Sequence, residues 1–262
     1  MKKILCLMLA ILAAGAQLSA EELSGRQIAE KVKTSNHSTK GLVTKGTLTL
    51  KDMKSGSSES RSAIIFAKTG SDGLRRAAFR FTSGSQKGTT FLSLERSGKD
   101  NVQYIYLKSV GKARQVEASD KEKNFVDTDI SNESLGGMKL DDYTYKRVAD
   151  EQVQGCDCYV VENIPVRSDS AYSKRVISTD KQTLVPLAVK DYNKAGRLVK
   201  QSIVNAKTMK KIRPGLCVPS EMVVTDNEAK HQTLLKVDYI SEDEISEDLF
   251  NKEKISVKWA QE

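Results

Sequence analysis

The sequence predicts a mainly β chain (α+β) in which one amphipathic helix is followed by a long antiparallel meander. Three observations carry this reading. Apolar residues after Gly41 recur with period two, and clusters of Gly, Ser, Asp and Lys punctuate them at short intervals. Ahead of them lies one strong helix-start signal.

That signal is Leu23-Ser24-Gly25-Arg26-Gln27-Ile28. Ser24 can accept from the Gln27 amide while Gln27 reaches back to the Ser24 amide, and Leu23 can pack on Ile28 as a hydrophobic staple. Ile28, Ala29 and Val32 then form one apolar stripe, so the helix should run to about Thr34 and lay that stripe on a sheet. Strands are expected at about 42–52, 61–69, 74–83, 87–97, 101–108, 113–117, 143–149, 156–164, 173–179, 184–192, 197–206, 219–226 and 231–240. Turn clusters such as Thr69-Gly70-Ser71-Asp72-Gly73, Ser97-Gly98-Lys99-Asp100 and Asn193-Lys194-Ala195-Gly196 divide them. Connections this short join antiparallel neighbours, because a parallel crossover needs a dozen or more residues.

Such a sheet must close, stack or be covered. Ile64/Phe66, Ala77/Phe79/Phe81, Leu92/Leu94 and Val102/Tyr104/Tyr106 are expected to share one face, with Lys68, Arg76, Arg80 and Gln103 turned to solvent. Three of the six phenylalanines fall at Phe66, Phe79 and Phe81, which concentrates aromatic area in two neighbouring strands. A packed sandwich or barrel core is one outcome. A curved sheet with an incompletely filled inner face is the other.

Residues 1–20 have the three parts of an export signal: Lys2 and Lys3, an apolar run from Ile4 to Ala14, and small residues at Ala14-Gly15-Ala16 and Ser19-Ala20. The run falls short of the roughly 20 apolar residues of a membrane span. Ala14-x-Ala16 fits the small-x-small cleavage rule, while Ala20 precedes the sharp change in polarity at Glu21-Glu22; cleavage is expected at one of these, Ala20 being favoured. Cys6 lies too near the start to be a lipid-attachment cysteine, so a free periplasmic protein is expected, with residues 21–262 as a single domain. The formal net charge of +8 is interspersed along the chain, which favours a solubilising surface over nucleic-acid binding. Cys156, Cys158 and Cys217 survive cleavage, and an oxidising compartment favours a structural bridge from the pair to Cys217.

No enzyme is predicted. His37 sits in a polar stretch and His231 at a strand start, neither beside a nucleophile in sequence, and the carboxylate runs Asp141-Asp142 and Glu242-Asp243-Glu244 read as solvated turns. No cofactor, metal site or phosphate loop is expected. Asp127-x-Asp129-x-Ser131 resembles a calcium loop only in its first positions, since Asn132 and Met138 replace the glycine and glutamate that such a loop needs. Capping is the better reading: Asp129 or Ser131 opens a short helix, Glu133 sits near its amino end, and Gly136-Gly137 stops it.

The stretch Asn124-Phe-Val-Asp-Thr-Asp-Ile-Ser-Asn-Glu-Ser-Leu135 resembles the signature of the LolA-like, outer-membrane lipoprotein-sorting family, a Phe-x-x-Ser/Thr-Asp-x-Ser-x-Glu-x-Leu run leading into a helix. Asp127 stands where that pattern commonly has glycine, Ile130 where it has an aromatic residue, and Ser134 where it has an acid. Tyr104–Val116, Tyr172–Leu187, Asp191–Lys200 and Ser246–Phe250 resemble further strands, turns and the ending of the same family in the same order.

The resemblance implies a half-barrel of the LolA/LolB type, incompletely closed, with the amino-terminal helix on its concave face and a short helical lid. It implies a carrier of lipoprotein or lipid acyl chains, working between an inner-membrane donor and an outer-membrane acceptor. The cavity residues would be Phe66, Phe79, Phe81, Tyr104 and Tyr106. An easily displaced lid would carry Phe125, Ile130, Leu135 and Met138. The alternative is a periplasmic scaffold or sensor that uses the same fold to bind a protein.

Overall fold

The structure, a computed structural model, describes residues 22–168, 170–257 and 259; the expected export signal lies outside them. Helix α1 (Gly25–Thr34) opens with the anticipated capping box: the Gln27 amide donates to Ser24 Oγ at 3.2 Å and the Ser24 amide to Gln27 Oε1 at 2.7 Å. No helix among the described residues is long and apolar enough to cross a membrane.

The strands follow in chain order as β1 (Leu42–Asp52), β2 (Ser58–Thr69), β3 (Arg75–Phe81), β4 (Thr90–Leu94), β5 (Val102–Leu107) and β6 (Lys112–Gln115). After the short helix α2 (Asn132–Gly136) come β7 (Tyr143–Val153), β8 (Cys156–Pro165), β9 (Tyr172–Asp180), β10 (Pro186–Asn193) and β11 (Leu198–Val204). Last are β12 (Met209–Arg213), β13 (Leu216–Pro219), β14 (Glu221–Asp226) and β15 (His231–Glu242). Thirteen of these form one antiparallel sheet in the order β6-β5-β4-β3-β2-β1-β15-β14-β11-β10-β9-β8-β7. The edge strands β6 and β7 do not pair, so the sheet is a half-barrel and not a closed one. The first and last strands of the chain meet at its middle, where β1 pairs β15.

The curl has a visible cause there. Lys45 faces Tyr239 but Gly46 faces Val237, a bulge that inserts Asp238 into β15 and sharpens the local twist. A side chain at Gly46 would sit 2.3 Å from the Lys236 carbonyl, so the close approach needs glycine. Helix α1 packs against β7 and β8 on the concave side and buries Ile28.

Strands β12 and β13 form a separate hairpin that sequence periodicity does not reveal. Lys210, Lys211 and Arg213 disguise it as a polar connection, although Pro214-Gly215 is a turn signal. The hairpin closes a small core in which Cys156 and Cys217 pack against the cluster of Cys158, Val185, Leu187 and Val204. The expected bridge is not formed, and all three cysteines are free thiols. Cys158 points its thiol at the Cys156 carbonyl, 3.4 Å away, and burial pushes its pKa up to about 11.

Both faces of β1–β5 are covered, and this overturns the expected single aromatic face. Across β2 and β3, Ile65 stands opposite Phe79 and Ala63 opposite Phe81, whereas Phe66 stands opposite Ala78. Directly opposed residues share a face. Phe79 and Phe81 therefore belong to the concave core with Leu48, Phe91, Ile105 and Phe125. Phe66, Tyr104 and Tyr106 belong to the convex face with Ile64, Leu92, Phe250, Ile255 and Trp259.

The carboxy-terminal segment makes that second core. Phe66 meets Trp259 edge to face at 5.2 Å, and Arg80, buried and not solvated, lies under the same indole at 4.2 Å while donating to the Ile255 carbonyl at 2.6 Å. Gln103, also expected in solvent, is buried on the concave side and donates to the Asn132 carbonyl at 3.2 Å.

Candidate functional site

The concave face holds a cavity of two joined lobes. The larger, about 550 Å³, lies between β1–β3, β10–β15 and the β13 hairpin arm, with Leu48, Ile65, Phe79, Met222, Val224 and Leu235 among its walls. The smaller, about 290 Å³, lies under α1, between Ile28, Val32, Met138, Leu140, Val161 and Ile177. Val32, Arg75, Ser134, Arg175, Pro186 and Val189 line both and so mark the waist. Each volume is of the size that takes small apolar ligands, roughly 300 to 1,000 Å³.

A polar belt crosses the floor. Register places Tyr145 opposite Asn163, Asn163 opposite Arg175, Arg175 opposite Asp191, Asp191 opposite Lys200, Lys200 opposite Asp226, and Asp226 opposite His231. Seven strands thus each contribute one polar residue to the same face. Arg175 donates to Asp191 at 2.7 Å and to Glu133 at 2.9 Å, and Glu133 also accepts from Tyr143 Oη at 2.7 Å. Burial opposes the Arg175 charge, but Asp191 and Glu133 outweigh it and hold the guanidinium well above its ordinary pKa. Burial lowers the Lys200 pKa, offset in part by Asp226, Asp191 and Asp129.

The segment carrying the family-like signature docks on this belt, and each signature position has a structural task. Phe125 fills a ring cluster with Phe79, Phe81 and Phe91 at centroid distances of 5.4, 5.7 and 5.7 Å. Thr128 ties back to the Phe125 carbonyl at 2.6 Å. Asp129 takes hydrogen bonds from Thr233 Oγ1 at 2.7 Å and pairs with His231 Nδ1 at 2.8 Å. Ser131 caps α2, accepting from the Ser134 amide at 3.2 Å, and Asn124 accepts from the Lys200 ammonium. Glu133 meets Arg175, and Leu135 faces the larger lobe.

Backbone geometry explains one departure from the family pattern. Asp127 has φ 60°, a left-handed conformation in which glycine is free and Asp is tolerated. Its neighbour Val126, with φ 35°, is β-branched and strained there. Arg61 holds the pair, donating to the Val126 carbonyl at 3.0 Å and reaching Asp127 at 3.4 Å. Gly136 presses on Gln103, where a side chain would overlap its amide.

The anchoring is therefore much stronger than the easily displaced helix expected from the sequence. Phe125 and Ile130 are core residues, while Leu135 and Met138 are partly buried and line the lobes. Of the five aromatics expected around a ligand, Phe79 lines the cavity wall, Phe81 supports it from the ring cluster, and Phe66, Tyr104 and Tyr106 lie on the other side of the sheet. Sequence reasoning passes over Arg75, Asn163, Arg175, Asp191 and Lys200. A signal for two of them was present: Arg75 shares its parity with Ala77 and Phe79, and Arg175 with Ile177, so each is a cation on an apolar stripe.

Some groups suggest catalysis but do not assemble for it. His231 is oriented by Asp129, yet its Nε2 has no hydroxyl or thiol partner among the described residues. His37 lies beyond the opposite end of the eleven-residue β1. Its pKa is pushed down to about 4 by burial first and then by the Arg75 charge.

Comparison with solved structures finds this fold repeatedly. A domain from Vibrio parahaemolyticus assigned to outer membrane lipoprotein sorting is 22% identical, with TM-score 0.80 over 88% of this chain and 98% of that one. A DUF1329 family protein from Desulfovibrio piger is 25% identical, with TM-score 0.76 over 88% and 97%. A LolA superfamily protein from Nitrosomonas europaea is 14% identical, with TM-score 0.66 over 88% and 99%. The fold is thus that of the LolA-like lipoprotein-sorting proteins. A family model described as "uncharacterized protein" matches residues 73–256, and the chain belongs to that family. Among curated proteins none matches.

Proposed function

We propose that this protein is an exported carrier that holds the acyl chains of lipoproteins or lipids in the two-lobed cavity and ferries them toward the outer membrane. The observation that carries the reading is the cavity itself: apolar walls from both arms of the half-barrel, enclosed by α1 and the α2 segment. The likeness in fold to proteins assigned to lipoprotein sorting supports it, as does the export signal read in residues 1–20. Each methylene moved from water into such walls gains about 0.8 kcal/mol, so uptake needs no covalent chemistry. A donor at the inner membrane and an acceptor at the outer membrane complete the cycle, the acceptor offering an equally apolar site.

The test is mass spectrometry of an organic extract of the natively purified protein, paired with titration of a fluorescent fatty acid. Co-purifying acyl lipid and saturable uptake are the expected results. A protein that carries no lipid and takes up no probe would end this reading.

A further inference from the structure

Arg75 differs from the other cations of the concave face. Arg61, Arg175 and Lys200 each have a protein partner, as described above. Arg75 lines both lobes, is solvent-exposed, and makes no side-chain hydrogen bond or ion pair among the described residues. Glu95, the acid whose charge acts on it, is engaged elsewhere: one carboxylate oxygen takes the Lys33 ammonium and the other takes the Arg75 backbone amide at 3.0 Å. Burial among apolar walls lowers the Arg75 pKa, with Glu95 offsetting only part of that. A second polar group is left open in the smaller lobe. Asn163 is buried, lines the smaller lobe, and its Oδ1 has no hydrogen-bond partner among the described residues.

We propose that Arg75 makes the waist of the cavity an anion subsite, so that the cargo is an acyl amphiphile whose carboxylate or phosphate pairs with this guanidinium while its chain lies along the lobes. The planar fork of a guanidinium matches either anion through two parallel hydrogen bonds, which a lysine would not reproduce. The Asn163 amide then stands ready for a hydroxyl or amide of the same head group. An uncharged acyl ester would fill the lobes and leave Arg75 desolvated and unanswered. This rests on the acyl-carrier reading and adds the chemistry of the head group to it.

The experiment compares three pyrene-labelled probes on the full chain: a fatty acid, its methyl ester, and a lysophosphatidate of equal chain length. Wild-type protein should bind at least one acidic probe about tenfold or more tightly than the ester, the scale of a charge-assisted hydrogen bond. Arg75→Gln should bring that probe to the level of the ester and leave the ester unchanged. Arg75→Lys, which keeps the charge without the fork, should retain part of the preference and serves as the folded control. The larger loss, on fatty acid or on lysophosphatidate, identifies a carboxylate or a phosphate head. Equal wild-type affinity for all three, or an equal loss of all three in a folded Arg75→Gln protein, would overturn the subsite and leave the acyl carrier standing. Binding of none would remove the carrier reading and the subsite with it.

Discussion

Replacing Phe125 by alanine separates a loosely held lid from a fixed plug. The ring is about 1% exposed and touches three other phenylalanine rings, one stacked with an interplanar angle of 4° and two edge to face. Truncating a buried phenylalanine costs about 3 to 5 kcal/mol where the surroundings cannot collapse. Collapse is restricted here, because Arg61 donates to the Val126 carbonyl and the Asp129 amide donates to Thr233 Oγ1, while Arg175 holds the Glu133 carboxylate farther along.

For a chain of this size that loss corresponds to a fall in Tm of roughly 10 °C. It can be followed in urea through the fluorescence of the single tryptophan, which lies on the far side of the sheet and so reports global unfolding. Hydrogen exchange supplies the second readout: amides of 125–133 should exchange as slowly as those of the central strands in the ligand-free protein. A loss below about 1 kcal/mol, together with fast exchange across this segment, would refute the reasoning and restore a movable lid.

Other outcomes follow from the same geometry. Phe79→Ser should weaken uptake of a fluorescent fatty acid while Tyr104→Ser, on the convex face, leaves it unchanged; equal effects would contradict the division of faces. Arg175→Met strands Glu133 and Asp191 as buried unpaired charges and should cost about 3 to 5 kcal/mol by urea titration, whereas a neutral result would mean that water reaches the belt. Trp259→Ala should cost about 3 kcal/mol through loss of the convex core, measured by calorimetry, and an unaffected Tm would show that the carboxy-terminal segment is dispensable. His37 is held near pH 4, below its usual 6.5, so the unfolded chain takes up its proton first: stability should decline as pH falls from about 6.5 to 4. In His37→Gln that part of the decline should disappear, and an unchanged pH profile would assign it to other groups.

Much of the fold is legible in the sequence because its signals are local. The Ser24/Gln27 capping box, the alternation along each strand, the turn clusters between strands and the Ser131 cap depend on residues a few positions apart, and all thirteen strands of the main sheet are readable this way. The convex core is not. Phe66 and Phe79 lie on opposite faces because of a register that only pairing sets, and both faces of β1–β5 are apolar because residues 245–257 and Trp259 return late in the chain to cover one of them. Lys68 was the available clue, since it shares parity with Ile64 and Phe66, and a face containing both solvent-like and core-like residues needs a local cover.

The site divides in the same way. The sequence by itself determined the Asn124–Leu135 segment, its helix and its kinship, since capping and motif are written in consecutive residues. Only the tertiary structure decided what that segment does: Glu133 meets Arg175, Asp129 meets His231 and Asn124 meets Lys200 across 42, 102 and 76 positions of chain. A charge buried on an apolar stripe looks like an error in periodicity until its partner arrives from elsewhere. For Arg75 no side-chain partner arrives from the described residues, and its guanidinium stays open to a ligand.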